Sequence, residues 1–290
     1  MMKALCCFTF LCFSISLLYA QNERLFYEYK AVKDSTQKNK VSKEMMLLEV
    51  TNQGSVFYSY KKYKRDSTDI TEVRKGSMEG GRRIIGKTSH SLGENNNHVS
   101  KTYPDYKVTL HTTIGEHYYR IPEERKITWV LHPEKQKIGE WSVQKATANF
   151  AGRQWEAWYT DEIPIPEGPY KFHGLPGLIV KIEDSQKYHS FELKGISKIT
   201  DNVATASEIY RPTEIELDRK KYRKVFWDDR NDPARAMKQM ILNSGGSNVN
   251  FMINGNRETD PAKMIKIYEN SAKERVKKDN NHLEIDMLVQ

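Results

Sequence analysis

Residues 155–184 read WEAWYTDEIPIPEGPYKFHGLPGLIVKIED: a strand, a stiff connection and a second strand in close succession. Trp155, Ala157 and Tyr159 alternate with Glu156 and Trp158, the period-2 pattern of a strand, with aromatics on both faces. In Ile163-Pro164-Ile165-Pro166 each proline fixes its own φ and drives the residue before it out of the helical region, so the chain runs extended. Gly168-Pro169 then bends it. At Leu175-Pro176-Gly177-Leu178 the central Pro-Gly pair fits a type II turn, which assigns Gly177 a positive φ. Leu178, Val180 and Ile182 resume on one face. The connection from Asp161 to Gly177 is therefore long and stiff, with Ile163, Ile165, Tyr170 and Phe172 as apolar anchors. Long ordered loops are often functional. A plug that closes the core explains the same residues, and the sequence leaves both readings open.

Working outward, apolar residues alternate with polar ones from Arg24 to Thr200, broken by turn formers. Candidate strands are 25–32, 44–51, 55–62, 107–112, 117–121, 127–132, 141–150, 153–160, 178–184 and 189–199. This gives a mainly β fold with C-terminal helices (α+β), as a curved antiparallel sheet or partly open β-barrel. Gly76–Ser100, rich in Gly, Asn and Ser, reads as a long loop. A two-residue turn at Ile114-Gly115 would pair Leu110 with Tyr119 and His111 with Tyr118, putting His111 and His117 on opposite faces and disfavouring a metal site. After Thr213 the period becomes helical. Asp232-Pro233 and Asp260-Pro261 are helix starts, with Asp capping the first amides and Pro at a position whose N–H is spare. Ala236, Met237, Met240 and Ile241 share one face, and Met264, Ile265, Tyr268 and Ala272 another, as core contacts.

The first residues, from Met1-Met2-Lys3 through an apolar run to Tyr19-Ala20, have the layout of a cleavable export signal. The expected division is a signal at 1–20, a β-rich domain at 21–212 and a helical extension at 213–290 packed on the same domain. The expected location is the periplasm or cell envelope, or secretion, with no membrane span after cleavage. Cys6, Cys7 and Cys12 all fall within the signal, so the mature chain has no thiol for a disulfide, a nucleophile or zinc. The net charge is +8 with acidic residues interspersed. The basic runs Lys61–Arg65 and Arg219–Lys224 read as solvated faces, and export argues against nucleic acid.

The hexapeptide from Gly174 to Ile179, its approach DEIPIPEGPYKF and the upstream KATANFAGRQWEAWYT closely resemble the GLPGLI family of exported proteins from Gram-negative bacteria. The structural motif is Pro164, Gly168, Pro169, Gly174, Leu175, Pro176, Gly177, Leu178 and Ile179. Asn280-Asn281-His282-Leu283-Glu284 resembles the family's terminal element, with His282 in place of proline, and Val143 stands where members often have cysteine. The resemblance implies an envelope location and no established activity.

Two functional readings follow. The first is a noncatalytic binding or accessory protein for a hydrophobic small molecule, a peptide or an outer-membrane protein, without cofactor or metal, using Trp155, Trp158, Tyr159, Tyr170 and Phe172. The alternative is a hydrolase or lyase in which Asp161 and Glu162 work with His173 or Lys171. Glu167, Glu183 and Asp184 are further carboxylates of the segment. No serine-nucleophile motif or phosphate-binding glycine loop is present.

Overall fold

The structure is a computed structural model and describes residues 22–64, 97–115, 117–199, 213–243, 251–253, 256–258 and 260–289. The alternating pattern builds β1 (Glu23–Ala31), β2 (Ser42–Val50), β3 (Gly54–Ser59), β4 (His98–Thr102), β5 (Lys107–Ile114), β6 (His117–Pro122), β7 (Val130–Ile138), β8 (Trp141–Phe150), β9 (Arg153–Thr160), β10 (Leu178–Asp184), β11 (His189–Lys198) and β12 (Glu214–Glu216). They form one twelve-stranded sheet in the order β12-β6-β5-β4-β3-β2-β1-β11-β10-β9-β8-β7. All neighbours are antiparallel except β12 and β6.

Chain length forces this sheet to curl. β6 and β7 are second and twelfth in the order, which in a flat sheet would separate them by ~48 Å at ~4.8 Å per step. Residues 123–129 join them and reach at most ~29 Å fully extended. The ends must approach each other, and the contacts agree: Glu123 N donates to Val108 O of β5, while the Arg125 guanidinium lies 4.7 Å over the Phe150 ring of β8. The result is an open, strongly curved bowl. One continuous core lines it, including Leu25, Leu48, Phe57, Val99, Leu110, Ile121, Ala157, Leu178 and Phe191.

Among the described residues three α-helices follow the sheet, α1 (Arg219–Asn231), α2 (Arg235–Asn243) and α3 (Pro261–Lys278), and a 3-10 turn at Ile285–Met287 closes the described chain. A small pair, β13 (Phe251–Ile253) and β14 (Asn256–Glu258), lies between α2 and α3. Asp260 caps α3 as its sequence implies, accepting from Ala262 N at 2.9 Å with Pro261 in the first turn. Met237, Ile241 and Met264 form a small cluster of their own with Ile265 and Tyr268, while Met240 is 41% exposed and off that face. No helix among the described residues is long and apolar enough to cross a membrane.

Some sequence expectations need correction. His98–Thr102, counted partly within a loop, is strand β4. Residues 1–20 and most of the expected loop lie outside the described residues. Arg219–Lys224 does carry a solvated face, with Lys220, Lys221 and Lys224 exposed, but it also opens α1: Asp218 caps it through Lys221 N at 2.7 Å, and Tyr222 is buried against the sheet core. The β5–β6 hairpin pairs Leu110 with Ile121 and His111 with Arg120, a two-residue slip that keeps every side chain on its expected face. The final strand of the sequence list before β8 begins late, at Val130 rather than residue 127, and continues to Ile138 as the sheet edge. Finally, Gly177 is absent from the positive-φ positions, whereas Gly174 has φ +90°. Gly177 is required for another reason: an added Cβ would lie 2.0 Å from Thr160 O.

Candidate functional site

The site is the mouth of the bowl, filled by residues 161–177. Each proline of Ile163-Pro164-Ile165-Pro166-Glu167 centres a three-residue turn, with Ile165 N donating to Ile163 O at 2.8 Å and Glu167 N to Ile165 O at 2.7 Å. The fixed proline φ suits that geometry. Further backbone bonds cross the loop, from Gly174 N to Pro166 O at 2.9 Å and from Ile179 N to Glu167 O at 3.0 Å. The loop is thus bonded to itself and to β10. Phe172, with zero exposure, meets the rings of Trp155 (4.7 Å) and Phe150 (5.8 Å) edge-on.

A lysine from the opposite wall holds the loop. Lys101 follows Val99 by two residues on β4, so its side chain points inward, opposite Ser55 of β3. Its ammonium donates to Glu167 Oε2 at 2.6 Å, Gly168 O at 2.7 Å and Phe172 O at 2.9 Å, using all three hydrogens. Glu167 also accepts from Tyr103 OH at 2.5 Å and Ser55 Oγ at 3.0 Å. Both charged side chains have zero exposure. Burial pulls the Lys101 ammonium below its ordinary value, and Glu167 opposes that pull.

The loop's other side enters a larger charge cluster. Lys171 pairs with Glu123 at 2.8 Å and with Glu284, to which Tyr170 OH also donates at 2.6 Å. Arg125 reaches Glu123 at 2.6 Å, Glu284 at 2.7 Å and Asp286 at 2.7 Å. Arg219, at the start of α1, reaches Glu284 at 2.9 Å and Asp286 at 2.8 Å. Burial would raise the Glu284 carboxyl, but Lys171 and Arg125 overcome it and hold the group well below the ordinary carboxylate range.

The chain end supplies a third cluster. Asn281 Oδ1 accepts from Arg153 Nη2 at 2.6 Å and its Nδ2 donates to Val32 O at 2.6 Å. Arg153 also pairs with Asp184 at 3.2 Å, and Asp184 accepts from His189 N at 2.6 Å. The His189 ring bridges Tyr29 OH (2.8 Å) and Asn281 O (3.0 Å). Burial and the nearby Arg153 cation lower its pKa to about 3.

The residues singled out by sequence fall into three settings. Trp155, Tyr159 and Phe172 lie in the core, Trp158 and Tyr170 are half-buried, and Asp161 and Glu162 are exposed at the end of β9. Glu162 accepts from Ser142 N at 3.0 Å. Lys171 is committed to Glu123 and Glu284 rather than to these two carboxylates. His173 is half-buried, stacks on Tyr106 at 5.0 Å, and is lowered to about 4 by burial and by Lys101. Asp184 is buried with Arg153 and Glu183 pairs with Lys181 at 3.0 Å. Sequence reasoning named Lys171 and Tyr170 but missed Lys101, Glu123, Arg125 and Arg153, and Arg219 as a partner of Glu284. Only the resemblance around Asn280–Glu284 pointed near them.

A family model described as a protein of unknown function (Porph_ging) matches residues 151–181, which include the whole loop. Two solved structures of PNGF-II are similar in fold. In the C2 crystal form the TM-score is 0.51 with 14% identity, covering 73% of this chain and 34% of that one. In the P21 form it is 0.50 with 14% identity and the same coverage, 73% and 34%. The chain thus spans about a third of the length of the solved structures it matches. No curated protein matches.

Proposed function

We propose that this is an exported envelope protein with a noncatalytic binding or accessory role, whose partner is a peptide or an outer-membrane protein. The observation that carries the reading is the commitment of the loop's own chemistry. Glu167 is sealed with Lys101, Lys171 is paired with two carboxylates, and Asp161 and Glu162 stand apart from both. A general acid or base needs a hydrogen-bonding path to a reacting group, and Glu167 and Lys171 spend theirs on the fold. A small apolar ligand fits less well than a macromolecular partner, because Trp155, Phe172 and Leu175 fill the bowl.

Native mass spectrometry of the protein isolated from its own envelope tests this. A stoichiometric peptide or protein adduct is the expected result. A bare chain, or turnover of an ester, amide or glycoside that Lys171→Met abolishes without unfolding, would contradict it.

A further inference from the structure

The chain end, residues 280–287, meets the rest of the protein as a bound peptide does. Three of its side chains, three residues apart, each enter a separate pocket. Asn281 enters a carboxamide pocket, where Arg153 donates to its oxygen and Val32 O accepts from its nitrogen. Its backbone is also read, N–H by Lys33 O at 3.0 Å and carbonyl by the His189 ring. An aspartate there would set a carboxylate oxygen against Val32 O. Glu284 enters a cationic pocket of Lys171, Arg125 and Arg219, with Tyr170 OH as a fourth donor. Met287, 1% exposed, enters an apolar pocket, and its carbonyl accepts from Trp227 Nε1 at 3.1 Å. Main-chain bonds along the segment, which include Arg153 to His282 O and Leu283 O, together with a row of side-chain pockets are a usual basis of peptide recognition.

Charge balance points the same way. With the segment in place, Arg125, Lys171 and Arg219 face Glu123, Glu284 and Asp286. Without it, the three cations face Glu123 alone. The vacated cleft would be strongly positive at its centre, with a carboxamide pocket at one end and an apolar one at the other.

We propose that this cleft is a peptide-binding groove, filled in cis by the chain's own terminal segment and suited to a partner segment of the form Asn-x-x-Glu-x-x-Met. The groove gives the binding role above a site and a ligand class, and rests on that reading for its purpose. A partner segment competes with residues 280–287 for the same pockets.

The test uses the full chain carrying Asn281→Ala and Glu284→Gln, which loosens the resident segment and leaves every groove residue intact. A labelled peptide of the sequence of residues 279–289 should bind this variant and raise its melting temperature. The same peptide with Glu284→Gln should bind on the order of a hundredfold more weakly. A folded variant that ignores the peptide, or binds both peptides equally, overturns the proposal. A variant dimer that the peptide dissolves assigns the groove to a second copy and overturns the partner. If the variant does not fold, amide exchange on the unaltered protein decides. Opening of Asn281, Asp286, Met287 and Leu288 before β1 and β11 supports the groove, and opening only with global unfolding overturns it. A partner adduct without peptide capture would leave the binding role standing and remove only the groove.

Discussion

Two buried lysines hold the loop across the bowl, and they are built on opposite plans. Lys101 is sealed, with zero exposure on both sides of its pair and every hydrogen assigned. Lys171 belongs to an open cluster whose arginines remain 25% and 31% exposed and whose central carboxylate comes from the far end of the chain. The sealed pair joins β4 to the loop and has no path to water. The open cluster joins the loop, residues 123–129, α1 and residues 280–287, and in the groove proposed above Glu284 is the member a partner would displace. The difference teaches that burying a lysine serves two purposes here: one fixes the loop to the wall, and the other ties residues 280–287 to the loop.

The largest effect should come from breaking the sealed pair. Glu167→Ala leaves the Lys101 ammonium buried with carbonyls alone, and urea unfolding should show a loss of ~3–5 kcal/mol. Replacing both partners, Lys101→Met with Glu167→Leu, should cost less than that single change; equal costs would erase the distinction between the two lysines. Gly177→Ala comes next, at about 3 kcal/mol, because its methyl would meet the Thr160 carbonyl and the backbone must move. Glu284→Gln should cost roughly 2 kcal/mol, since Glu123 still pairs with Lys171 and water reaches the arginines. Gly174→Ala has free space for its methyl and bears only the cost of a left-handed backbone, about 1–2 kcal/mol.

Acid separates the clusters further. His173 and His189 are held neutral, at about 4 and about 3 against an ordinary 6.5. The unfolded chain takes up those protons first, so stability is full above pH 6.5 and falls as the pH drops toward the folded values. Glu284, depressed in the folded state, adds a second loss that begins as the pH falls through 4.5. Melting curves should show a gentle decline between those pH values and a steeper one below. Glu284→Gln should remove the steep part and leave the gentle one.

Much of the scaffold was legible in the sequence. Period-2 alternation locates most strands, the two prolines of Ile163–Pro166 announce a rigid path, and Asp260-Pro261 marks a helix start that the structure keeps. The failures have physical causes. His98–Thr102 carries Ser100, Lys101 and Thr102, so a strand whose inward face holds a buried lysine reads as polar loop. Arg219–Lys224 is so basic that the one buried position, Tyr222, did not register as a helical face. Gly177 was assigned a turn conformation because Pro-Gly favours one, whereas its need is clearance from a carbonyl that only the folded loop brings near. The pairings of Arg125, Arg153 and Glu284 join residues more than a hundred positions apart in several cases, and no local pattern encodes them.

Residues 161–177 are anchored as firmly as the strands beside them, with Glu167, Phe172 and Leu175 buried while Asp161, Glu162, Pro164, Gly174 and Pro176 lie at the surface. Hydrogen exchange at the amides of Ile165, Glu167, Phe172 and Gly174 tests it directly. Protection equal to that of Leu178–Asp184, released only by global unfolding, is the predicted result. Exchange at the rate of a surface loop while β10 stays protected would contradict the account.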